Sequence, residues 1–209
     1  MWRSTPLHRR ESLEAAPVGH LPPRYPDGVD SSEVLGVDDG FGPLFHRHYS
    51  TKIRESSLSP EELFARVTEN LNRAAPSSFA RFQRVFGDQD TLSVTDEYVV
   101  RMPGPWDGPV RVIDRTPRSF RLATLQGHLE AGQIEFRVRG GELITFEIES
   151  WARSSDRYSN LLYHHVRMAK EVQLHMWISF LEGVVDVSGG RMTGGITIDT
   201  RRVEDGLRS

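Results

Sequence analysis

A chain of 209 residues suits one domain with extensions or two small ones, and 37% hydrophobic with 26% charged residues leaves enough apolar mass for a core. The absence of cysteine excludes disulfides, thiolate metal sites and cysteine nucleophiles. The net charge of −3 sits in residues 1–44, where four arginines face seven acids, so the remainder is neutral and presents no basic face for nucleic acid.

Residues 1–44 are punctuated by Pro17, Pro22, Pro23, Pro26, Gly28, Gly36, Gly40, Gly42 and Pro43 and read as a loosely structured, flexible arm. No apolar segment follows the early charges as a secretory signal would require, and no apolar run is long enough for a membrane span, so a cytoplasmic location is the expectation. Phe45 to Glu55 then alternates, with Phe45, Tyr49, Thr51 and Ile53 on one side and His46, His48, Ser50, Lys52 and Arg54 on the other, as in a half-buried strand.

Ser59-Pro60-Glu61-Glu62 is a capping box with proline at the first helical position, and Leu63, Phe64, Val67 and Leu71 continue at helical spacing. Pro76 ends this helix, and Phe79, Phe82, Val85 and Phe86 predict a second short one closing at Gly87. Strands follow at Thr91 to Met102, Val110 to Arg115, Ser119 to Leu125, Gln133 to Arg139 and Leu143 to Ala152, with Gly140-Gly141 as a hairpin turn. From Arg157 to Leu181, Tyr158, Leu162, His165, Ala169, Val172, Met176 and Phe180 form one stripe of a long helix. The Gly-rich tail holds one more strand candidate, Gly195 to Thr200. The order predicts an α+β fold: a curved antiparallel sheet whose apolar side receives the long helix, with a cavity between them.

The stretch from Gly104 to the long helix resembles a known pattern. Gly108-Pro109-Val110-Arg111-Val112, Phe120, Thr124-Leu125-Gln126-Gly127-His128-Leu129-Glu130, Gly132, Glu135, Phe136, Phe146, Ile148 and Arg153 carry the match. They are similar to a bacterial and plant domain-of-unknown-function branch of the START and polyketide-cyclase superfamily, which includes the birch-pollen-allergen proteins. Gln126 and Leu129 stand where the branch has prolines, and Gln133 where it has Glu. The resemblance implies a helix-grip fold and a pocket. The domain is expected at residues 45–185, between the arm at 1–44 and a C-terminal extension at 186–209.

Asp96 falls between Val94 and Tyr98 on the apolar phase of its strand, and an unpaired buried carboxylate is costly, so it requires a water-filled pocket, an arginine or a bulge. His128, beside Gly127 in an inter-strand loop, can orient a ligand or simply fix the turn. His165 lies on the helix stripe that would line the cavity. Glu171 and His175 stand one helical turn apart without a third ligand, so no metal is expected, and nothing in the sequence calls for a cofactor. The leading expectation is binding of a small apolar or amphipathic molecule, lipid- or polyketide-like, lined by Asp96, Tyr98, His128, Trp151, His165, Ala169 and Val172. The alternatives are a cyclase- or hydrolase-type enzyme with Asp96 or His128 as general acid–base, and an interaction module or homodimer using the Gly195 to Thr200 edge.

Overall fold

The computed structural model describes residues 5–16, 20–75, 80–87, 91–102, 107–155 and 163–203, with side chains at all of these except 13–16 and 163–170. Among the described residues there are nine strands: β1 (Leu7–Ala16), β2 (Phe41–Arg54), β3 (Arg81–Phe86), β4 (Glu97–Arg101), β5 (Asp107–Thr116), β6 (Ser119–Thr124), β7 (Glu130–Gly140), β8 (Ile144–Ser154) and β9 (Arg191–Val203), with apolar side chains alternating inward along β2, β5, β7 and β8. Helix α1 spans Pro60–Glu69 and α2 spans Tyr163–Ser188. The strands make one sheet in the order β1-β9-β2-β8-β7-β6-β5-β4-β3. β1 runs parallel to β9, and the other neighbours pair antiparallel. This is the expected α+β helix-grip arrangement, with the long helix packed on one face of a large sheet.

Local chemistry sets the element ends. Ser59 accepts from the Glu62 N–H while the Glu62 carboxylate accepts from the Ser59 N–H, and Pro60 opens α1. The second short helix expected after it is instead a turn of 3-10 helix at Leu71–Arg73 followed by the strand β3. The spacing of Phe82 and Phe86 suits a helix, but these residues form a strand at the sheet's edge. There the Asn72 side chain donates to the Phe82 carbonyl (2.9 Å) and accepts from its N–H (2.8 Å), standing in for a neighbouring strand. Phe79 and Ser77 lie outside the described residues.

The strand expected from Thr91 begins only at Glu97, because Asp96 accepts from the Ser93 N–H (2.9 Å) and Thr95 takes a φ of 78°, which folds a turn and leaves Val94 46% exposed. Helix α2 runs past its expected end through Gly183, where a β-carbon would lie 2.2 Å from the Ala74 carbonyl oxygen. Glycine there is a packing requirement, not a stop signal.

Two further segments depart from expectation. Residues 7–16 of the arm form β1, and 20–40 cross the outer face of the sheet, with Leu35 exchanging backbone hydrogen bonds with Thr124 and Gly132. Gly195 to Thr200 lies within β9, hydrogen-bonded to β1 on one side and β2 on the other, so it offers no free edge for strand addition.

The main core lies between the sheet and the helices. Phe64, Phe120, Phe136, Phe146 and Phe180 are fully buried, with Phe120 stacked on Phe136 (4.5 Å between centroids) and Trp177 edge-on to Phe136 (5.4 Å). This aromatic group fills the space under the C-terminal half of α2.

Candidate functional site

Toward the N-terminal half of α2, the same face of the sheet changes character. Arg47 shares the phase of Tyr49 and Ile53 on β2, Ser150 that of Phe146 and Ile148 on β8, and Glu130 that of Phe136 on β7, so all three belong to the helix side. Arg47 and Ser150 are direct cross-strand partners. The Arg47 guanidinium donates to Glu130 (3.3 Å) and sits over the Phe45 ring (5.2 Å). From α2, Gln173 donates to the other Glu130 oxygen at 2.8 Å.

Arg47 is 6% exposed and Ser150 4%, whereas the Glu130 side chain keeps 24% of its surface. The cluster is therefore deep but reachable at Glu130. The Ser150 Oγ and the Trp177 Nε1, also inside the sheet–helix space, have no hydrogen-bond partner among the described residues.

Electrostatics here favour a neutral sum. Burial alone would raise the Glu130 pKa, but Arg47, the Gln173 hydrogen bond and His128 outweigh it and hold the carboxyl below its ordinary value. Burial pushes the Tyr49 phenol up to about 12, keeping it protonated. Burial also lowers the His128 pKa against the opposing pull of Glu130. Its Nδ1 lies 2.9 Å from both the N–H and the carbonyl of Glu130, and a β-carbon on Gly108 would sit 3.0 Å from its Nε2. The ring is thus pressed onto β5 and tied to the backbone that carries Glu130.

The other expected residues are dispersed. Asp96 and Tyr98 lie at the β3–β4 edge, about 14 Å and three strands away from β7. Asp96 is committed to the Ser93 N–H and to Arg84 (3.6 Å), with its carboxylate packed against Gly87, and Tyr98 accepts from Arg84 (2.9 Å). Burial raises the Tyr98 pKa, and Arg84 opposes this. A cleft of about 570 Å³ opens beside them, lined by Thr68, Asn70, Asn72, Arg84, Phe86 and Tyr98 among others.

Trp151, expected to face the pocket, points the other way. It is paired with His46 in register and stacked on it (5.2 Å, 3°) on the outer face, because its strand phase is opposite to that of Ser150. Val172 is half-buried on α2 next to Gln173. His165 and Ala169 lie on α2, but their side chains are outside the described residues.

Arg47, Ser150 and Gln173 were not singled out by the sequence. Arg47 carried the signal applied to Asp96, a charge on the apolar phase of a strand. Among the described residues, no group of three or more His, Asp or Glu is placed to hold a metal ion, and no helix is long and apolar enough to cross a membrane.

Comparison with known proteins finds several solved structures to which the chain is similar. Norcoclaurine synthase from Thalictrum flavum aligns over 80% of this chain and 95% of its own, with 10% identity and a TM-score of 0.50. A conserved protein from Geobacillus kaustophilus aligns over 70% of this chain and 98% of its own, with 11% identity and a TM-score of 0.47. A polyketide-cyclase-like protein from Corynebacterium glutamicum aligns over 68% and 88%, with 12% identity and a TM-score of 0.38. No curated protein sequence matches the chain. Residues 38–181, from just before β2 into α2, match the family described as domain of unknown function DUF1990. The chain belongs to the DUF1990 family.

Proposed function

We propose that this protein binds a small amphipathic molecule between the sheet and the N-terminal half of α2, its polar end against Arg47, Ser150, Glu130 and Gln173. The observation that carries the reading is the Arg47–Glu130 pair beneath α2, with its guanidinium buried and its carboxylate partly open. An ion pair in such a place is a weak source of stability, since desolvation offsets most of its attraction. Here it comes with an unpartnered buried hydroxyl and one partly open carboxylate, which is the composition of a polar anchor in an apolar pocket. The apolar body of the ligand would rest on Ile134, Met176 and the edge of Trp177.

The test is a thermal-shift panel of amphiphiles with native mass spectrometry of freshly purified protein. A ligand present at a hundredfold its Kd adds about 2.7 kcal/mol and raises Tm by several degrees. A panel that leaves Tm unchanged, with no retained small molecule, overturns the reading.

A further inference from the structure

Among the described residues β1 closes one side of the sheet, and no strand pairs with its outer edge. Residues 8–11 there are exposed. The strand is held in place from within the chain. The Thr5 hydroxyl donates to Glu182 of α2 (2.6 Å), and the His8 Nε2 lies 2.8 Å from the Gly194 carbonyl oxygen. Pro6 accepts from the Ile196 N–H (2.9 Å), and Leu7 is in register with Ile196. In a parallel ladder this sets the phase: even-numbered residues turn their N–H and C=O groups to β9, and Leu7, Arg9 and Glu11 turn theirs outward. An edge of this kind is a template for another strand.

The side chains favour a second copy of the same strand. Leu7 packs on the main core, so Arg9 and Glu11 share its face of the sheet. Their register partners on β9 are Ile198 and Thr200, which carry no charge. An edge of one sign would repel its copy, but here the sign changes between two residues on one face. Antiparallel pairing about a two-fold axis at Arg10 sets Arg9 opposite Glu11 twice, and each such pair exchanges its outward backbone groups. Axes at Arg9 or Glu11 would set like charges opposite each other on this face. Arg10 meets its own copy on the other face, where Asp199 is its register partner within the chain.

We propose that two copies of this chain associate edge to edge through β1, antiparallel about Arg10, with reciprocal Arg9–Glu11 pairs joining the two sheets.

The experiment is sedimentation equilibrium of the full chain at pH 7 and about 100 μM, where a micromolar Kd leaves mostly dimer. Arg9→Glu and Glu11→Arg each set like charges opposite across the axis and are expected to weaken the dimer about tenfold. The double exchange Arg9→Glu with Glu11→Arg restores the pairing and is expected to recover the wild-type dimer. Arg9→Pro removes an outward N–H that β9 does not use, so it is expected to leave the Tm of dilute protein unchanged and to abolish the dimer. A wild-type monomer at this concentration overturns the proposal. A dimer that the single exchanges and Arg9→Pro leave intact overturns the assignment to β1. Weakening by both single exchanges without recovery in the double one overturns the register about Arg10. If a single exchange does not fold, Arg9→Pro and the double exchange decide the matter.

Discussion

His20 and His46 share a hydrogen bond, Nδ1 to Nδ1 at 3.1 Å, and their neighbours leave one arrangement of protons. Arg201 donates to the His20 Nε2 (2.8 Å), so the His20 proton sits on Nδ1 and is donated to the His46 Nδ1. His46 is then protonated on Nε2, which donates to Glu149 at 2.7 Å. This relay fastens the first residue of the arm segment 20–40 to β2, β8 and β9. Long-range nitrogen–proton NMR at neutral pH should show opposite tautomers for the two rings. The same tautomer on both would contradict the relay.

The relay makes stability depend on pH in two windows. The His20 pKa is lowered by burial, then by Arg201 and His46, so the unfolded chain binds this proton first, and stability falls as pH drops below the ordinary value of 6.5. His128 adds to the same window. Burial would raise Glu147 and Glu149, but their His48, His46 and Arg137 partners bring both down to about 2. Their contribution is present above about 4.5 and is lost as pH falls toward 2. In urea unfolding between pH 7.5 and 5.5, the wild type should lose more stability than His20→Ala. Equal losses would remove His20 from the account.

Asp96 is expected to act in folding and not in ligand contact. Asp96→Ala leaves Arg84 without its carboxylate and the Ser93 N–H without an acceptor, at a cost of about 3 kcal/mol. Denaturant midpoints should fall accordingly, while affinity for any amphiphile bound under α2 stays the same. A stable variant with lost affinity would return Asp96 to the binding site.

Gly183→Ala tests the contact of α2 with the turn after α1. The new methyl meets backbone at Ala74, which a side-chain rotation cannot relieve, so about 1–3 kcal/mol is lost although alanine is the better helix former. A stabilised variant would show that α2 does not pass this close. Ser59→Ala, by contrast, removes half of a reciprocal cap at an exposed helix start and should cost about 1 kcal/mol.

Much of this fold was legible because its signals are local. The capping box at Ser59, the alternation of Ile134, Phe136 and Val138, and the stripe through Met176 and Phe180 each report one element and its buried face. The failures have physical causes. Phe82 and Phe86 mimic a helical period because an edge strand with Asn72 as its neighbour leaves Val85 and Phe86 exposed and loses strict alternation. The long helix reads as ending at Leu181, short of Gly183, because sequence does not show the Ala74 carbonyl that a glycine there accommodates.

The site was harder, since it depends on which strands lie side by side. Trp151 and Ser150 are adjacent in sequence and face opposite sides of the sheet, so a one-residue difference in phase separates a pocket group from an outer-face group. The partnership of Arg47 with Glu130 spans 83 residues and follows only from the β2-β8-β7 order.

The most direct test of the binding site is NMR mapping with 2-naphthol on labelled protein. Shift changes should centre on Arg47, Ser150, Glu130 and Gln173, with Trp151 and His46 on the outer face and Arg84 and Tyr98 at the β3 edge unmoved. Changes centred on either of those other groups, or none at saturating ligand, would contradict a site between the sheet and α2.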